Sequence, residues 1–422
     1  MLSLKYIREN TKFVQDSLKN KNIELSIPNL LDLDIQRRDY IHKVEELRSE
    51  KNKVSSFIAK SKKDGKNPID EISSMRTLSV KIKDFESKLK GVESEIDKEI
   101  YYIPNIVHQS VPIGQNEESN LFIRDWGSKP EFSFDPRDHL DLGEKLKLFD
   151  FKRSVKMAGS GFPLYTGRGA KLERALINFM LDFHISNHDY VELFPPFLAH
   201  PNAMQNTGQL PKFKDDMYQI QEDSLYCIPT AEVPVTNMHQ GEILIEADLP
   251  IKYAAYSACF RREAGSYGKD TKGLLRVHQF NKVELVKYVK PEDSYKELEL
   301  LVENAEAILK ALGLHYRVIE LCSGDLSFSA AKCYDIEVWS PSEKKYLEVS
   351  SCSNFENFQS RRANIRFKSK LTGQTELVHT LNGSGLATPR LMVAIIETFQ
   401  NKDGSVSIPE VLRPFMNIKD ID

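Results

Sequence analysis

The sequence predicts an α+β protein of two domains: an N-terminal antiparallel coiled-coil arm of long α-helices, and a larger domain whose mainly antiparallel sheet is flanked by helices. Three observations support this fold class. Apolar residues recur every seven positions between residues 30 and 103, two strand-like segments enclose a Gly/Lys-rich loop, and strands alternate irregularly with helices in the remainder. The 422 residues, 41% of them hydrophobic, are enough for two domains, which we expect at 1–110 and 111–422.

The predicted arm consists of two segments with heptad patterns. The first follows the series Leu30, Arg37, Val44, Lys51 and Ile58, with a second series at Leu33, Tyr40, Leu47 and Val54. After a break at residues 64–68, the pattern resumes at Met75, Ile82, Leu89 and Ile96, accompanied by Leu78, Phe85 and Val92. Two such helices with a short connection pack antiparallel, and about thirty residues at 1.5 Å each give an arm of about 45 Å.

The outer part of this arm is basic. Residues 51–90 contain eleven Lys/Arg and five Asp/Glu, whereas the whole chain has a net charge of −3. One interpretation is an ordinary solvated helix surface. Attached to a nucleotide-binding domain, the arm is better interpreted as a surface for RNA phosphates.

The middle of the chain predicts a functional sheet face. If residues 256–263 and 276–288 pair as antiparallel strands, symmetric closure of the loop opposes Cys259 with Phe280 and Glu263 with Arg276. This register turns Arg262 to the opposite face from five chemically useful side chains. The five are Arg261, Glu263, Arg276, Phe280 and Glu284. The alternative is a charged hairpin face in solvent.

Phosphate binding in this chain must rely on arginine side chains. The sequence has neither a Walker loop nor the glycine fingerprint of a dinucleotide fold. Three arginines instead lie beside small-residue loops: Arg261, Arg276 and, after Gly383-Ser384-Gly385, Arg390. A planar guanidinium matches two phosphate oxygens at once, so these arginines suit a triphosphate.

These segments resemble motifs of the class II aminoacyl-tRNA synthetases. FRRE at 260–263 with RVHQFNKVE at 276–284 resembles motif 2, GSG at 383–385 with Arg390 resembles motif 3, and HDY at 188–190 before PP at 195–196 resembles motif 1. TGQLPKF at 207–213, IPTAEVP at 228–234, EVSS at 348–351 and IPEVLRP at 408–414 are similar to the seryl-tRNA synthetase branch. The resemblance runs from end to end.

The resemblance implies an ATP site. Arg261 would hold the α-phosphate and the serine carboxylate, Arg276 and Arg390 the γ-phosphate, and Phe280 would stack on adenine. The other implied ATP-binding residues are Arg262, Glu263, Val277, Glu348, Val349, Ser350 and Ser351. Glu348 and Ser351 would also ligate Mg²⁺. Because residues three apart on a regular strand face opposite ways, this pair requires a bulge or a strand end near Ser350.

The resemblance also implies a serine site and macromolecular partners. Glu284 and Ser384 would receive the serine hydroxyl, and the remaining implied serine-binding residues are Thr230, Ala231, Glu232, Arg261 and Asn382. The implied partners are tRNA(Ser), with tRNA(Sec) as a further candidate, and a second copy of the chain in a homodimer formed through motif 1. The glycine- and lysine-containing loop at 264–275 would exchange contacts between ATP and the tRNA end.

Three departures from the family pattern remove no chemical group. Asp189 replaces a usual glycine, Arg262 a small residue, and Pro389 precedes the motif 3 arginine; aspartate tolerates turns and proline suits a first helical turn. Five unpaired cysteines, the lack of a signal peptide and the lack of an eighteen-residue apolar run predict a cytoplasmic protein without membrane spans.

Two other functions remain open at this stage. A relative that loads an amino acid onto a carrier protein would keep the catalytic motifs but lack a basic RNA-binding arm. A non-catalytic RNA-binding paralogue would be expected to lose the phosphate-binding arginines or the carboxylate that binds the metal.

Overall fold

The structure is a computed structural model that describes residues 1–264 and 273–422. The glycines and lysines of the predicted exchange loop, Gly265, Gly268, Lys269 and Lys272, lie outside the described residues. The chain forms two compact units. One comprises Leu2–Lys19 and Ile23–Pro104, and the other comprises Met1, Asn20–Asn22 and Asn105–Asp422.

Helices and strands alternate irregularly along the chain, as expected for an α+β fold. The helices are α1 Leu4–Glu9, α2 Thr11–Asn20, α3 Ile27–Lys63, α4 Ile69–Ile100, α5 His139–Lys145, α6 Phe151–Ala158, α7 Gly167–His188, α8 Pro201–Asn206, α9 Glu232–Asn237, α10 Ser294–Leu312, α11 Phe358–Ala363, α12 Thr388–Thr398 and α13 Arg413–Met416. The strands are β1 Leu121–Trp126, β2 Val191–Leu193, β3 Leu198–Ala199, β4 Gln219–Ile220, β5 Leu225–Cys227, β6 Ile243–Leu244, β7 Ile251–Phe260, β8 Gln279–Val289, β9 Tyr316–Glu320, β10 Lys332–Ser340, β11 Lys345–Asn354, β12 Arg366–Lys368, β13 Thr375–Leu377, β14 His379–Ala387, β15 Val406–Ser407 and β16 Asp420–Ile421.

The N-terminal unit contains the predicted helical hairpin. Helices α3 and α4 are antiparallel, because Arg48 pairs with Glu86 at 2.6 Å while Arg37, nearer the start of α3, pairs with Glu93 near the end of α4 at 3.6 Å. Heptad positions are buried along the seam: Leu30, Leu33, Val44, Ile58, Leu78, Ile82, Val92 and Ile96. The 37 residues of α3 span about 56 Å, longer than predicted, because the helix starts at Ile27 and continues to Lys63.

A mixed sheet organises the second unit. Within the described residues, its eight strands lie in the order β1-β9-β10-β11-β14-β8-β7-β2, antiparallel except for the β2–β7 pair. Helices α7, α10 and α12 pack on one face, where Leu176, Leu301 and Ile395 share a core with Leu285 and Ile336. The alternate residues of β8 therefore point to the opposite face, away from these helices.

The predicted register of the central hairpin is confirmed. Cys259 opposes Phe280, and the Arg261 N–H donates to the His278 carbonyl at 2.8 Å. The predicted strand ends were wrong, because β7 ends at Phe260 and β8 begins at Gln279. Glu263 has a left-handed φ of 51°, and the His278 N–H donates to the Gly161 carbonyl instead of extending the ladder.

The two backbone departures are accommodated as expected. Asp189 ends α7 in the left-handed conformation with φ 57°, a position where aspartate is tolerated. Pro389 lies in the first turn of α12, where it lacks no necessary hydrogen bond. All five cysteines are free thiols. Among the described residues, the helices offer no apolar stretch of the length needed to span a bilayer.

Candidate active site

The sheet face opposite to helices α7, α10 and α12 carries two adjoining cavities. A cavity of about 240 Å³ is lined by the predicted residues Arg261, Glu263, Arg276, Val277, Phe280, Glu348, Val349, Ser384 and Arg390, among others. A second cavity of about 1090 Å³ shares Arg276, Glu348 and Arg390 with it and also contains Ser351. Residues more than 100 positions apart in the sequence are thus brought together.

One end of the smaller cavity combines an aromatic ring with guanidinium groups. The Arg261 guanidinium lies 5.1 Å from the Phe280 ring centroid, and its Nε donates to the Pro229 carbonyl at 3.4 Å. Arg276 pairs with Glu263 at 2.7 Å. Arg262 is exposed and lines neither cavity, and its backbone N–H donates to Asp216 at 2.9 Å. The prediction that Arg262 points to the opposite sheet face agrees with this placement.

A β-bulge brings Glu348 and Ser351 to the same cavity. Ile336 on β10 opposes Ser350, but the next residue, Glu337, opposes Glu348, which leaves Val349 without a partner in the ladder. The inserted residue reverses the alternation of side chains, so the predicted bulge is confirmed. Ser350 is instead buried, and its hydroxyl donates to the Ser384 carbonyl at 2.6 Å.

The oxygen atoms near this bulge suit Mg²⁺. The Glu348 side chain is 48% exposed, and Arg390 Nη1 lies 3.6 Å from its carboxylate and donates to its backbone carbonyl at 2.9 Å. Mg²⁺ takes few protein oxygens and keeps several waters, so one accessible carboxylate and one hydroxyl are sufficient. In the part of the chain that the structure describes, no cluster of three or more His, Cys, Asp or Glu forms an all-protein metal cage.

Beyond Lys282 and Ser384, which line the other end of the smaller cavity, lies a cluster of buried polar side chains that we call the polar pocket. Glu284 is 1% exposed, receives a hydrogen bond from the Thr230 hydroxyl at 3.2 Å, and pairs with Lys282 at 2.6 Å. Ser384 directly opposes Glu284 in the strand register. Burial raises the pKa of Glu284, and the Lys282 ammonium acts in the opposite direction. The polar pocket therefore holds a desolvated carboxylate with one hydroxyl and one ammonium partner.

A second buried carboxylate completes this pocket. Glu232 accepts a hydrogen bond from the Gln359 side-chain amide at 2.6 Å, and Gln359 in turn accepts one from the Thr380 hydroxyl at 2.7 Å. Burial, together with the charge of Glu284, raises the pKa of Glu232 to about 7. Ala231 is also buried, and Asn382 opposes Val286 two positions along β14 from Ser384.

Sequence reasoning missed three residues at the site. Lys282 was identifiable, since it lies between Phe280 and Glu284 on the same strand face. Asp335 opposes Ser351 across β10 and β11 and lines the larger cavity. Gln359, from helix α11, has no local sequence signal, because its partners Glu232 and Thr380 come from other elements.

Comparisons with known proteins agree with this geometry. Residues 1–107 match the family model of the seryl-tRNA synthetase N-terminal domain, and residues 212–399 match the tRNA synthetase class II core domain (G, H, P, S and T). A serine–tRNA ligase of Geobacter sulfurreducens is 53% identical over 416 residues, which cover 99% of this chain and 98% of the relative. The chain belongs to the seryl-tRNA synthetase family.

Other members of the seryl-tRNA synthetase family are similar over the whole chain. A serine–tRNA ligase of Caldicellulosiruptor saccharolyticus is 57% identical over 416 residues, covering 99% of each chain. The crystal structure of seryl-tRNA synthetase from Pyrococcus horikoshii complexed with ATP superposes with a TM-score of 0.93 at 38% identity, covering 100% of this chain and 99% of that one. The predicted family and fold class are confirmed.

Proposed function

We propose that this protein is a serine–tRNA ligase that activates L-serine with ATP to seryl-adenylate and transfers the serine to tRNA(Ser). The observation that carries the proposal is the order of groups across one side of the sheet, from the loop that joins β7 and β8 into β8. Arg276 and Arg261 come first, Phe280 follows, and the buried carboxylate of Glu284 lies about 13 Å beyond the ring at roughly 3.3 Å per residue. This spacing separates a nucleotide site from a small polar pocket.

Activation joins two anions. A serine carboxylate oxygen attacks the α-phosphorus of ATP, the new O–P bond forms, and the bond to the pyrophosphate oxygen breaks. The carboxylate is already ionised at neutral pH, so this step needs no general base. Arg261, beside Phe280 and near the polar pocket, is the group we assign to the α-phosphate and the serine carboxylate. Its contribution is positioning and electrostatic stabilisation of the developing charge.

Two arginines at the far end suit the γ-phosphate. Arg276 and Arg390 both line the two adjoining cavities, and each is already held by a neighbouring group. Glu263 pairs with Arg276, and the Glu348 carbonyl accepts a hydrogen bond from Arg390. Held guanidinium groups lose less conformational freedom when they bind phosphate. Val277 and Val349, together with the backbones of Ser350 and Arg262, complete the ATP-binding residues that we propose.

We assign Glu348 and Ser351 to a Mg²⁺ ion. The bulge turns both toward the larger cavity, and Ser351 Oγ lies 3.1 Å from the Cys333 thiol. When bound, the ion would neutralise phosphate charge and orient the triphosphate. Asp335, which opposes Ser351 across the two strands, would orient the Ser351 hydroxyl.

The polar pocket explains selection of serine. Glu284 and Ser384 are the proposed partners of the serine hydroxyl, and Glu232 with Thr230 is the proposed partner of the ammonium group, with Ala231 and Asn382 lining the pocket. Alanine would leave these buried groups without a partner, and such a loss discriminates strongly between substrates. Threonine would need space for one more methyl group among closely packed, hydrogen-bonded side chains.

We further propose a cytoplasmic homodimer, with tRNA(Sec) as a further candidate substrate. An apolar groove formed by motif 1 and its surroundings supports the dimer: it includes Leu193, Pro195 and Pro196, and Phe194 there is 76% exposed. Free thiols fit a reducing compartment. The basic outer part of the hairpin α3–α4, residues 51–90, suits the phosphates of the tRNA.

Serine-dependent ATP–pyrophosphate exchange, tested against all amino acids and followed by tRNA charging, tests the function. We expect exchange with serine and charging of tRNA(Ser). Exchange without any tRNA charging would favour a carrier-loading enzyme. The absence of exchange with every amino acid would favour a non-catalytic RNA-binding protein.

A further inference from the structure

Helix α12 holds the segment before Arg276, residues 273–275, at two points. Arg390 in its first turn donates through Nε to the Leu275 carbonyl at 3.1 Å. Glu397, seven residues later and therefore on a nearby face of the helix, reaches the Leu274 N–H through His139. Arg276 follows this segment directly, so its position depends on how the segment is held.

The second point of contact is a fully buried pair of ionisable groups. Both side chains are 0% exposed, and His139 Nδ1 lies 3.1 Å from Glu397 Oε1. The Ser340 hydroxyl donates to the other carboxylate oxygen at 2.6 Å. Burial alone would raise the pKa of Glu397, but hydrogen bonds from His139, Ser340 and Ser342 outweigh it and the pKa is lowered. Glu397 is thus an ionised acceptor that orients the imidazole.

The free side of the imidazole accepts a backbone hydrogen bond. The Leu274 N–H points to His139 Nε2 at 3.4 Å, so the hydrogen-bond network assigns the ring proton to Nδ1. Gly273 makes room for this approach, because a Cβ at that position would lie 2.3 Å from Nε2. Its φ of +62° also favours glycine. The backbone at 273–275 is therefore fitted to the imidazole.

We propose that His139 and Glu397 are positioning residues that fix the backbone segment 273–275, and through it hold Arg276 beside Arg390. This inference rests on the proposed role of Arg276 and Arg390 as the γ-phosphate site. Neither His139 nor Glu397 lines either of the two adjoining cavities. Their effect should depend on the phosphates that the two arginines bind, whereas a purely structural pair would affect every ligand alike.

Two amide substitutions at His139 distinguish the role of Nδ1 from that of Nε2. His139→Asn keeps a donor near the Nδ1 position but leaves the Leu274 N–H without an acceptor, while His139→Gln places an acceptor near the Nε2 position. We measure the dissociation constants of ATP and AMP by calorimetry. His139→Asn should weaken ATP binding about tenfold and leave AMP binding within about twofold, since AMP lacks the γ-phosphate. His139→Gln should restore most of the ATP affinity.

Gly273→Ala provides a second test outside the core, because its methyl group displaces the imidazole without removing it. It should show the same selective loss of ATP affinity even if His139→Asn fails to fold. Equal weakening of ATP and AMP, or equal behaviour of the Asn and Gln variants, would overturn the proposal. Arg276→Ala tests the underlying role separately: if it binds ATP as well as the parent protein does, the assigned γ-phosphate site is wrong, whatever the His139 variants show.

Discussion

Glu348 and Ser351 open onto one cavity although they are three residues apart on the same strand. Val349 makes this possible as the extra residue of the bulge, opposite the step from Ile336 to Glu337. A regular strand would bury one of the two side chains behind the sheet. The backbone defect is therefore a condition for the proposed Mg²⁺ site.

Adjacent serines provide a test of that site. Ser351→Ala should raise the Mg²⁺ concentration needed for half-maximal pyrophosphate exchange by about tenfold or more, since a ligand is lost. Ser350→Ala is the matched control: its hydroxyl bonds the Ser384 carbonyl, so the variant should lose some thermal stability but keep the Mg²⁺ requirement. The same Mg²⁺ titration curve for both variants would count against Ser351 as a ligand.

Neighbouring arginines test the assigned sheet faces. Arg261→Ala should lower serine-dependent exchange about a hundredfold or more, because a fixed charge at the α-phosphate is lost. Arg262→Ala should have a mild effect, since Arg262 lines neither cavity. Steady-state kcat/KM for exchange decides the matter, and comparable losses in the two variants would contradict the assignment.

Glu284 should carry discrimination through the serine hydroxyl. Glu284→Gln should lower kcat/KM for serine far more than for alanine, narrowing the ratio between the two substrates, because alanine makes no hydroxyl contact to lose. Exchange kinetics with both amino acids measure the ratio. An unchanged ratio would mean that Glu284 is structural and that the hydroxyl is recognised elsewhere.

Serine binding should depend on pH through Glu232. Its pKa of about 7 lies above the ordinary 4.5, so the carboxyl is largely neutral at pH 6 and ionised at pH 8. An ionised carboxylate attracts the serine ammonium, and serine affinity should rise as the pH increases through 7. Calorimetric titrations at several pH values measure this.

The free energy of unfolding of the unliganded protein should instead fall as the pH rises. A carboxyl whose pKa is raised on folding stabilises the folded state below its unfolded pKa, and this stability is lost as the pH rises from about 4.5 to 7. Glu232→Gln should reduce the pH dependence of both serine affinity and the free energy of unfolding. A serine affinity that varies equally with pH in the variant would exclude Glu232 as the titrating group.

Deleting residues 36–97 and closing the gap with a short Gly/Ser linker should separate the two steps. Serine activation should persist, because every proposed adenylating residue lies in the C-terminal unit. The rate of tRNA charging should fall to a low residual value. This remaining rate should depend less steeply on salt, since fewer phosphates are neutralised. Filter assays at several salt concentrations measure charging. Full charging by a folded, truncated protein would show that the hairpin is not the tRNA-binding element.

Local regularities made much of the site predictable. Symmetric closure of one loop was enough to assign the register of Cys259 and Phe280. A bulge near Ser350 was necessary because Glu348 and Ser351, three residues apart, would face opposite ways on a regular strand. The strand ends were not predictable, because the left-handed turn at Glu263 depends on contacts elsewhere. Gln359 and His139 also carried no signal, since their hydrogen-bond partners are assembled only by the tertiary fold.

Strand β8 sets fixed distances between the side chains of Phe280, Lys282 and Glu284. Successive side chains on one strand face are separated by about 6.6 Å, and no smaller step is available without a bulge. A larger amino acid could therefore not be admitted by shifting the pocket slightly along the strand. Recognition of a larger amino acid would require substitutions at the Glu284 end of the site. Such substitutions leave the nucleotide end unchanged, so amino-acid specificity and ATP binding can change independently in evolution and in engineering.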